Sequence, residues 1–450
     1  MSGIQIEKAK QVMEQIRYMV DGQINVRYDY DVIVLGGGPG GIGAAVMAAR
    51  CGAKTLLVER YAFLGGMATA GEVHPFMPNH VDNEPLDKPV YTDWVKIMHE
   101  MRSPDSIGDN GRKQFIVKEL AALAAEKLCI EAGAEILYHH TFFDTVCADD
   151  NITHVILYSK SGLTAAKARV FIDCTGDADV AFKAGCECET GNDKGDCQPM
   201  TLCFKLSHID REIMPTRDEV GELYNQARER GEIDNPRHNV LYFDWFDKDI
   251  LHFNSTRVIE KSALDGKLLS EAEIEGHRQM LQLIDFLRAH VPGFKNAQLH
   301  SMGSHIGVRE SRRVMGLKKL VLDDFLKARK FNDAVARCNY SIDIHNPYGG
   351  GTKFYHVPKG DWMEIPYGCI VARDCKNLCV GGRPISVDHA VHGSTRVMPP
   401  ACTLGQAAGC AAAMSVAKNC SPHDLDGTEV RGKLVEMGAR LEPQGTLQQH

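Results

Sequence analysis

Between Gly36 and Gly43 six of eight residues are glycine, inside the stretch DVIVLGGGPGGIGAAVMAARCGAKTLLVER (residues 31–60). Something must come so close to the main chain there that side chains are excluded. The flanks say what. Residues 31–35 read as a buried strand, the small-residue run 41–51 as a helix and 55–58 as a second strand, which is a βαβ unit of a parallel sheet. Gly36, Gly38 and Gly41 fit G-x-G-x-x-G, with Pro39 and Gly40 inside the same turn. The first glycine permits the turn, the second admits a pyrophosphate to the backbone, and the third lets helix and strand pack closely. The helix N-terminus offers free N–H groups to the phosphates. Glu59 closes the second strand eighteen residues after Gly41, where a carboxylate can hold ribose hydroxyls. An acid there favours a free 2′-hydroxyl over a 2′-phosphate.

Three more glycine turns follow in order. Gly65-Gly66 lies just past the ribose acid, Thr175-Gly176-Asp177 ends the apolar run ARVFIDCTG, and Gly381-Gly382 ends NLCVGG. A plain NAD fold has no use for the second turn. The order points to FAD, and the turns resemble those of FAD enzymes of the glutathione-reductase fold type, which implies an α/β fold: a Rossmann-like FAD-binding domain with a parallel sheet. No second G-x-G-x-x-G unit predicts a separate nicotinamide domain, and no C-x4-C follows Gly66 to make a redox dithiol.

With these turns, the stretches QPMTLCF, IGVRESRRVMG, YSIDIHNP, EIPYGCIVARDCKNLCVGGRPIS and HAVHGSTRVMPPACTLGQAAGCAAA make the chain resemble the FAD-dependent oxidoreductase family (FAD_oxidored) over about residues 30–418. The resemblance implies a flavin domain interrupted by a second, α+β substrate domain, and redox chemistry at the flavin. Residue by residue it implies that Gly36, Gly38, Gly41, Glu59, Arg60, Gly66, Met67, Thr69, Gly176, Asp177, Gly382 and Arg383 neighbour FAD; Pro39, Gly40, Gly65, Thr175, Met398 and Gly405 complete the expected set. Independently, Pro399 and Pro400 suit a helix first turn, and the small residues after them a closely packed helix to about Asn419. Its N-terminus could stabilise negative charge at the flavin N1–C2=O edge.

Just before that helix stand His389, His392 and Arg396. A histidine can move a proton near neutral pH, and an arginine can clamp a carboxylate or a flavin carbonyl. One of the two histidines is expected at the site. In GVRESRRVMG, Arg309, Arg312 and Arg313 surround Glu310, as a buried ion-pair network or as an anionic-substrate pocket. SIDIHNPYGGGT adds Asp343 and His345, with the triple glycine read as a mobile loop. The expected catalytic set is thus His392, His389, Arg396, Arg309 and His345. Cys186, Cys188, Cys197 and Cys203 match no common metal spacing and are expected to be free thiols, with no metal bound.

The expected organisation is an N-terminal helical arm (1–28), a first FAD-domain segment (29–200), a substrate or cap domain (201–364), a second FAD-domain segment (365–420) and a C-terminal tail (421–450). A net charge of −8 argues against nucleic acid or an anionic membrane as partner. Fifteen scattered cysteines and the absence of an apolar signal core suggest a cytoplasmic protein. The arm over residues 4–20, apolar at helical spacing, suggests a homo-oligomer or a place in a complex. The function expected is hydride transfer between a small organic substrate and flavin N5, by dehydrogenation of an alcohol or amine or reduction of a double bond. The alternatives are a flavin-bearing electron-transfer subunit and a flavin monooxygenase.

Overall fold

The computed structural model describes residues 23–102 and 115–441; the expected helical arm over residues 4–20 lies outside them. The glycine stretch is flanked as its pattern predicts. Strand β1 (Val26–Leu35) ends in four fully enclosed residues, Val32 to Leu35. Such an unbroken apolar run belongs to the middle of a parallel sheet, covered on both faces. Helix α1 (Pro39–Arg50) begins with proline, whose missing N–H is no loss in a first turn. Strand β2 (Thr55–Val58) lies parallel to β1, pairing Val32 with Thr55 and Leu35 with Val58.

The chain continues through helices α2 (Val90–Glu100) and α3 (Lys118–Ala132). Gly133, at φ +91°, stops α3 in the left-handed conformation that glycine adopts without strain. Strand β3 (Glu135–Leu137) pairs parallel with β2, and β4 (Thr141–Ala148), β5 (Asn151–Ser159) and β6 (Gly162–Asp173) form an antiparallel meander. The seven-stranded sheet runs β3-β2-β1-β6-β5-β4, with a last strand, Leu378–Val380, parallel to the end of β6. The C-terminal ends of β1, β2, β6 and that last strand therefore open on the same side. Each carries one of the glycine turns or the ribose acid. This is the Rossmann-like architecture expected, with the switch-point crevice where ligands bind.

A second unit has its own core. Strands β7 (Phe204–Ser207), β8 (Tyr242–Asp244), β9 (Leu251–Phe253) and β10 (Gln298–Met302) form an antiparallel sheet in the order β8-β9-β7-β10. Helix α4 (Gly266–His290) starts under Asp265, whose carboxylate accepts from Leu268 N at 2.8 Å. Its Ala272, Met280, Leu283 and Leu287 join an apolar cluster that runs from Met200 to Val308. From Val314 onward most buried apolar residues, including Leu320, Phe325 and Ile342, join the main cluster instead. On packing we draw the cap as residues 200–308, shorter than the expected 201–364. The stretch read as a mobile glycine loop lies in a hairpin, between strands β11 (Ile342–His345) and β12 (Thr352–Tyr355). Residues expected as a tail include a helix, Gly427–Glu436, whose Val430 and Leu434 are in the main core.

With Leu378–Val380 as β13, the chain returns to the sheet and ends in helices α5 (His389–Thr395) and α6 (Met398–Lys418). Helix α6 is buried over nearly its whole length and crosses α1 on a seam of small residues.

Candidate active site

A cavity of about 370 Å³ begins at the β1–α1 turn and ends beneath the cap. At its start Gly36 has φ +101°, and a Cβ there would lie 2.4 Å from Cys174 O. Helix α1 has Gly38 as its N-cap and no side chain satisfying its first amides, which leaves N–H groups facing the cavity. Glu59 is held at the rim: Oε2 accepts from Gly37 N at 2.7 Å and Oε1 from Tyr61 N at 2.9 Å. Each carboxylate oxygen keeps a lone pair for a ribose hydroxyl. Uncapped amides, a side-chain-free turn and a positioned acid are what a dinucleotide needs, so the residues fit FAD.

The other expected FAD neighbours divide into two groups. Gly36, Gly38, Pro39, Gly40, Glu59 and Arg60 line this end of the cavity. Gly66, Met67, Thr175, Gly176, Asp177, Gly382, Arg383 and Met398 also line it. Gly41, Gly65, Thr69 and Gly405 do not, but shape it from behind. The Thr69 hydroxyl donates to Leu64 O at 2.8 Å and closes the Gly65-Gly66 turn. Arg383 donates to Gly176 O at 2.8 Å and Asp177 Oδ1 at 2.5 Å, strapping the third turn to the fourth. Val397, Met398 and Ala401 bring the first turn of α6 to the cavity wall.

Three of the five residues expected to be catalytic, Arg309, Arg396 and His345, line the far part of the cavity. Alternation along β11 puts Asp343 and His345 on one face. Asp343 Oδ1 accepts from Arg396 Nη2 at 2.6 Å, and the Tyr340 hydroxyl donates to Asp343 Oδ2 at 3.4 Å. Burial pushes the Asp343 carboxyl upward, yet Arg396 and His345 outweigh it and hold the group below its usual range. His345 Nδ1 accepts from Arg257 Nη2 at 3.0 Å; because arginine only donates, the neutral ring carries its proton on Nε2, facing Asp343. Arg257 also donates to Gly349 O and Gly351 O, so the glycine loop is tied to the cap.

The expected histidine pair lies elsewhere. His389 and His392 are absent from the cavity wall. His389, itself partly exposed, pairs through Nδ1 with Glu310 Oε1 at 2.8 Å, and the buried Glu310 accepts from Arg313 Nη1 at 2.6 Å. His392 is fully enclosed, and neither ring nitrogen has a hydrogen-bond partner among the described residues. Burial, then Arg313 and Arg396, hold it well below the usual histidine range and hence neutral. Helix α5 buries His392 entirely and leaves His389 partly exposed beside Glu310. The arginine run divides: Glu310 and Arg313 form a buried ion pair, while Arg309 lines the cavity.

Residues not anticipated from sequence complete the chamber: Tyr340, Arg237, Asn254 and Thr201 on its polar side, and His74, Met77, Leu241 and Phe243 on its apolar side. Tyr340 lies in the quoted YSIDIHNP, three residues before Asp343. No local signal marks Arg237, which reaches the site only through the cap fold.

A family model described as FAD dependent oxidoreductase matches residues 31–434. The chain belongs to that family. FAD is its cofactor and oxidoreduction its chemistry. This FAD-dependent oxidoreductase is 31% identical over 163 residues to the thiamine thiazole synthase of Methanococcus vannielii, a match covering 34% of this chain and 58% of that protein. It is 27% identical over 161 residues to the digeranylgeranylglycerophospholipid reductase of Thermoplasma volcanium, covering 33% and 39%. The chain thus spans less than two thirds of the length of these relatives. A solved geranylgeranyl bacteriochlorophyll reductase-like protein from Thermoplasma acidophilum overlays with a TM-score of 0.48 at 15% identity, covering 91% of this chain and 83% of that one. Among the described residues no helix is long and apolar enough to cross a membrane.

Buried histidines make the oxidoreductase acid-sensitive. His252 is lowered to about 4 and His345 to about 3, burial being the largest cause in each, and His74 and His392 are also held well below the usual value. All titrate near 6.5 when unfolded. Their contribution is therefore complete above pH 6.5 and is lost as pH falls toward 4. Asp87 and Asp173, raised by burial to about 7 and about 6, oppose this over the same window. With four histidines against two acids, stability should fall by roughly 2–3 kcal/mol per pH unit below 6.5. Urea midpoints at pH 7, 6 and 5 check this; an unchanged midpoint at pH 5 contradicts it.

Proposed function

We propose that this oxidoreductase transfers a hydride equivalent between a small organic substrate and FAD, in the chamber between Met67 and the cap. When bound, FAD supplies the two-electron chemistry at its N5. The observation that carries the reading is the continuity of one cavity, from the dinucleotide turn at Gly36 to Arg309, Asp343 and Arg396. The Gly36 turn and Glu59 would hold the dinucleotide. Phe243, Leu241 and Met77 exclude water from the substrate side. Tyr340 takes the proton role expected of His389 or His392: its hydroxyl lines the chamber, and burial followed by Asp343 raises its pKa, so it stays protonated as a donor. Fifteen free cysteines support a cytoplasmic setting. The apolar spacing of residues 4–20 keeps a homo-oligomer or a complex subunit as the expected assembly.

The test is an absorbance spectrum of the purified protein, followed anaerobically as small alcohols, amines, polyols and hydroxy acids are added. Bleaching of the flavin bands by one class supports the reading and names that class. Bands that no member bleaches, and that a chemically reduced sample does not pass to an unsaturated acceptor, count against it. Tyr340→Phe should retain FAD and lower kcat about 10²- to 10⁴-fold at nearly unchanged KM. An unchanged kcat removes Tyr340 from the proton path.

A further inference from the structure

The cap end of the cavity carries more positive charge than it neutralises. Arg237, Arg309 and Arg396 line it, against one carboxylate, Asp343, which is already paired with Arg396. Arg237 is only 6% exposed; its Nε donates to Asn239 Oδ1 at 2.9 Å, and its two terminal nitrogens donate to no protein group among the described residues. Arg309 donates to Pro199 O at 2.7 Å, to the Thr201 hydroxyl and to Asn254 Oδ1 at 3.4 Å, all uncharged acceptors. Neither Arg237 nor Arg309 forms an ion pair with a carboxylate among the described residues. Buried guanidiniums stay charged, and a buried charge without a counter-charge is costly. Burial and neighbouring arginines lower Arg237 to about 10 and Arg309 to about 9, which leaves both protonated at neutral pH. An anion brought in by the substrate would relieve this repulsion.

The opposite wall fixes the rest of the ligand. Leu241 and Phe243 flank the arginines through the cap strand β8, since Asn254, which meets Arg309, also donates its amide to Leu241 O at 2.9 Å. Phe243 meets the His74 ring edge-on at 6.1 Å, and Met77 and Pro75 extend this apolar side. His74 is held neutral by burial first, then by His252 and Lys205, so it adds no charge.

Resting on the proposed substrate chamber, we propose that the substrate is a carboxylic acid with an apolar body, its carboxylate held by Arg237 and Arg309 and its body against Leu241 and Phe243. The paired N–H fork of arginine suits a planar carboxylate, and the apolar wall disfavours a bare inorganic oxyanion.

The experiment is calorimetric titration of the FAD-loaded protein with acetate, benzoate, 3-phenylpropionate and succinate, with benzamide, 3-phenylpropionamide and inorganic phosphate alongside. We expect benzoate or 3-phenylpropionate to bind, and its amide at least ~10-fold more weakly. Arg237→Gln should weaken the acid ~10- to 100-fold and leave the amide unchanged, while Arg237→Lys should restore part of the loss. Arg309→Gln provides the same comparison at the second guanidinium. Binding of no carboxylate, equal binding of acid and amide, or phosphate binding more tightly than every carboxylate would each overturn the proposal. The flavin band of the loaded sample tests FAD binding separately: a protein lacking it refutes the dinucleotide reading, and the acid-to-amide ratio is then decided on the same protein without flavin.

Discussion

Gly405→Val is expected to give a protein that retains no flavin and unfolds far more readily, by at least ~3 kcal/mol, the upper end of ordinary overpacking. Three backbones meet beneath the dinucleotide turn. A Cβ at Gly405 would stand 1.8 Å from Gly40 O, one at Gly40 2.9 Å from Gly381 O, and one at Gly381 3.0 Å from the Gly405 Cα. These are the first turn of α1, the turn after β13 and the body of α6. Each contact is to main chain, which cannot rotate aside. The seam continues along both helices, where a Cβ at Gly43 would lie 2.0 Å from Cys402 O and one at Gly409 2.2 Å from Ala44 O. Forcing α6 outward moves Gly381 and Gly382, and with them the cavity wall that Arg383 straps to Gly176. Flavin content and the urea midpoint would be read together. Gly432→Ala is the control, since a Cβ there meets nothing within 4 Å on the exposed face of its helix; it should be neutral or stabilise by up to ~1 kcal/mol. Gly405→Val purified with full flavin and a wild-type midpoint would show that the seam can open without harm.

The same seam shows why part of this protein can be read from its sequence. Glycines that must approach a ligand or another backbone leave a local mark, and so do the strands that feed them. Strand β1, helix α1, strand β2, the Thr175-Gly176-Asp177 turn and helix α6 stand close to where pattern alone puts them. Side chains that act across the fold leave no such mark. His389 and His392 are adjacent in sequence to the flavin-side helix, but α5 turns them toward Glu310 and into the core. Asp343 and His345 stood out as titratable residues of SIDIHNPYGGGT, and alternation along the strand puts both on one face. Arg237 was not, because its position depends on how the cap sheet folds, 144 residues before the next cofactor turn, Gly381-Gly382. The cap boundary is likewise not marked locally in the sequence. Strands at 334–338 and 363–366 pair with each other, yet their apolar sides pack into the main core, a choice that hydrophobic pattern does not encode.

Glu72 was equally invisible, and its removal should have the second large effect. Its segment runs from the Gly65-Gly66 turn to His74 on the cavity wall, and it has positive φ, 46°. The carboxylate is almost wholly enclosed. Oε2 accepts from Lys205 Nζ at 3.1 Å and from Ser301 Oγ at 2.9 Å, Oε1 from Lys118 Nζ, and the Glu72 carbonyl from His252 Nε2 at 2.7 Å. Lys205, His252 and Ser301 sit on β7, β9 and β10, so one residue of the flavin domain touches three strands of the cap. Burial pushes the Glu72 pKa up, but Lys205 and Lys118 prevail and hold it below the usual range. The carboxylate is therefore charged, and Lys205, itself nearly enclosed, depends on it. Glu72→Gln should cost about 3–5 kcal/mol, because it strands a buried ammonium rather than because the pair was strongly stabilising. Lys205→Met in the same chain should then recover much of the loss, and a double-mutant cycle on urea midpoints measures the coupling. The cap roofs the chamber, so the single variant should also weaken substrate before it weakens FAD. A Glu72→Gln protein within 1 kcal/mol of wild type would mean that Lys205 reaches water or another acid once Glu72 is gone, and the cap would then be held by its apolar contacts alone.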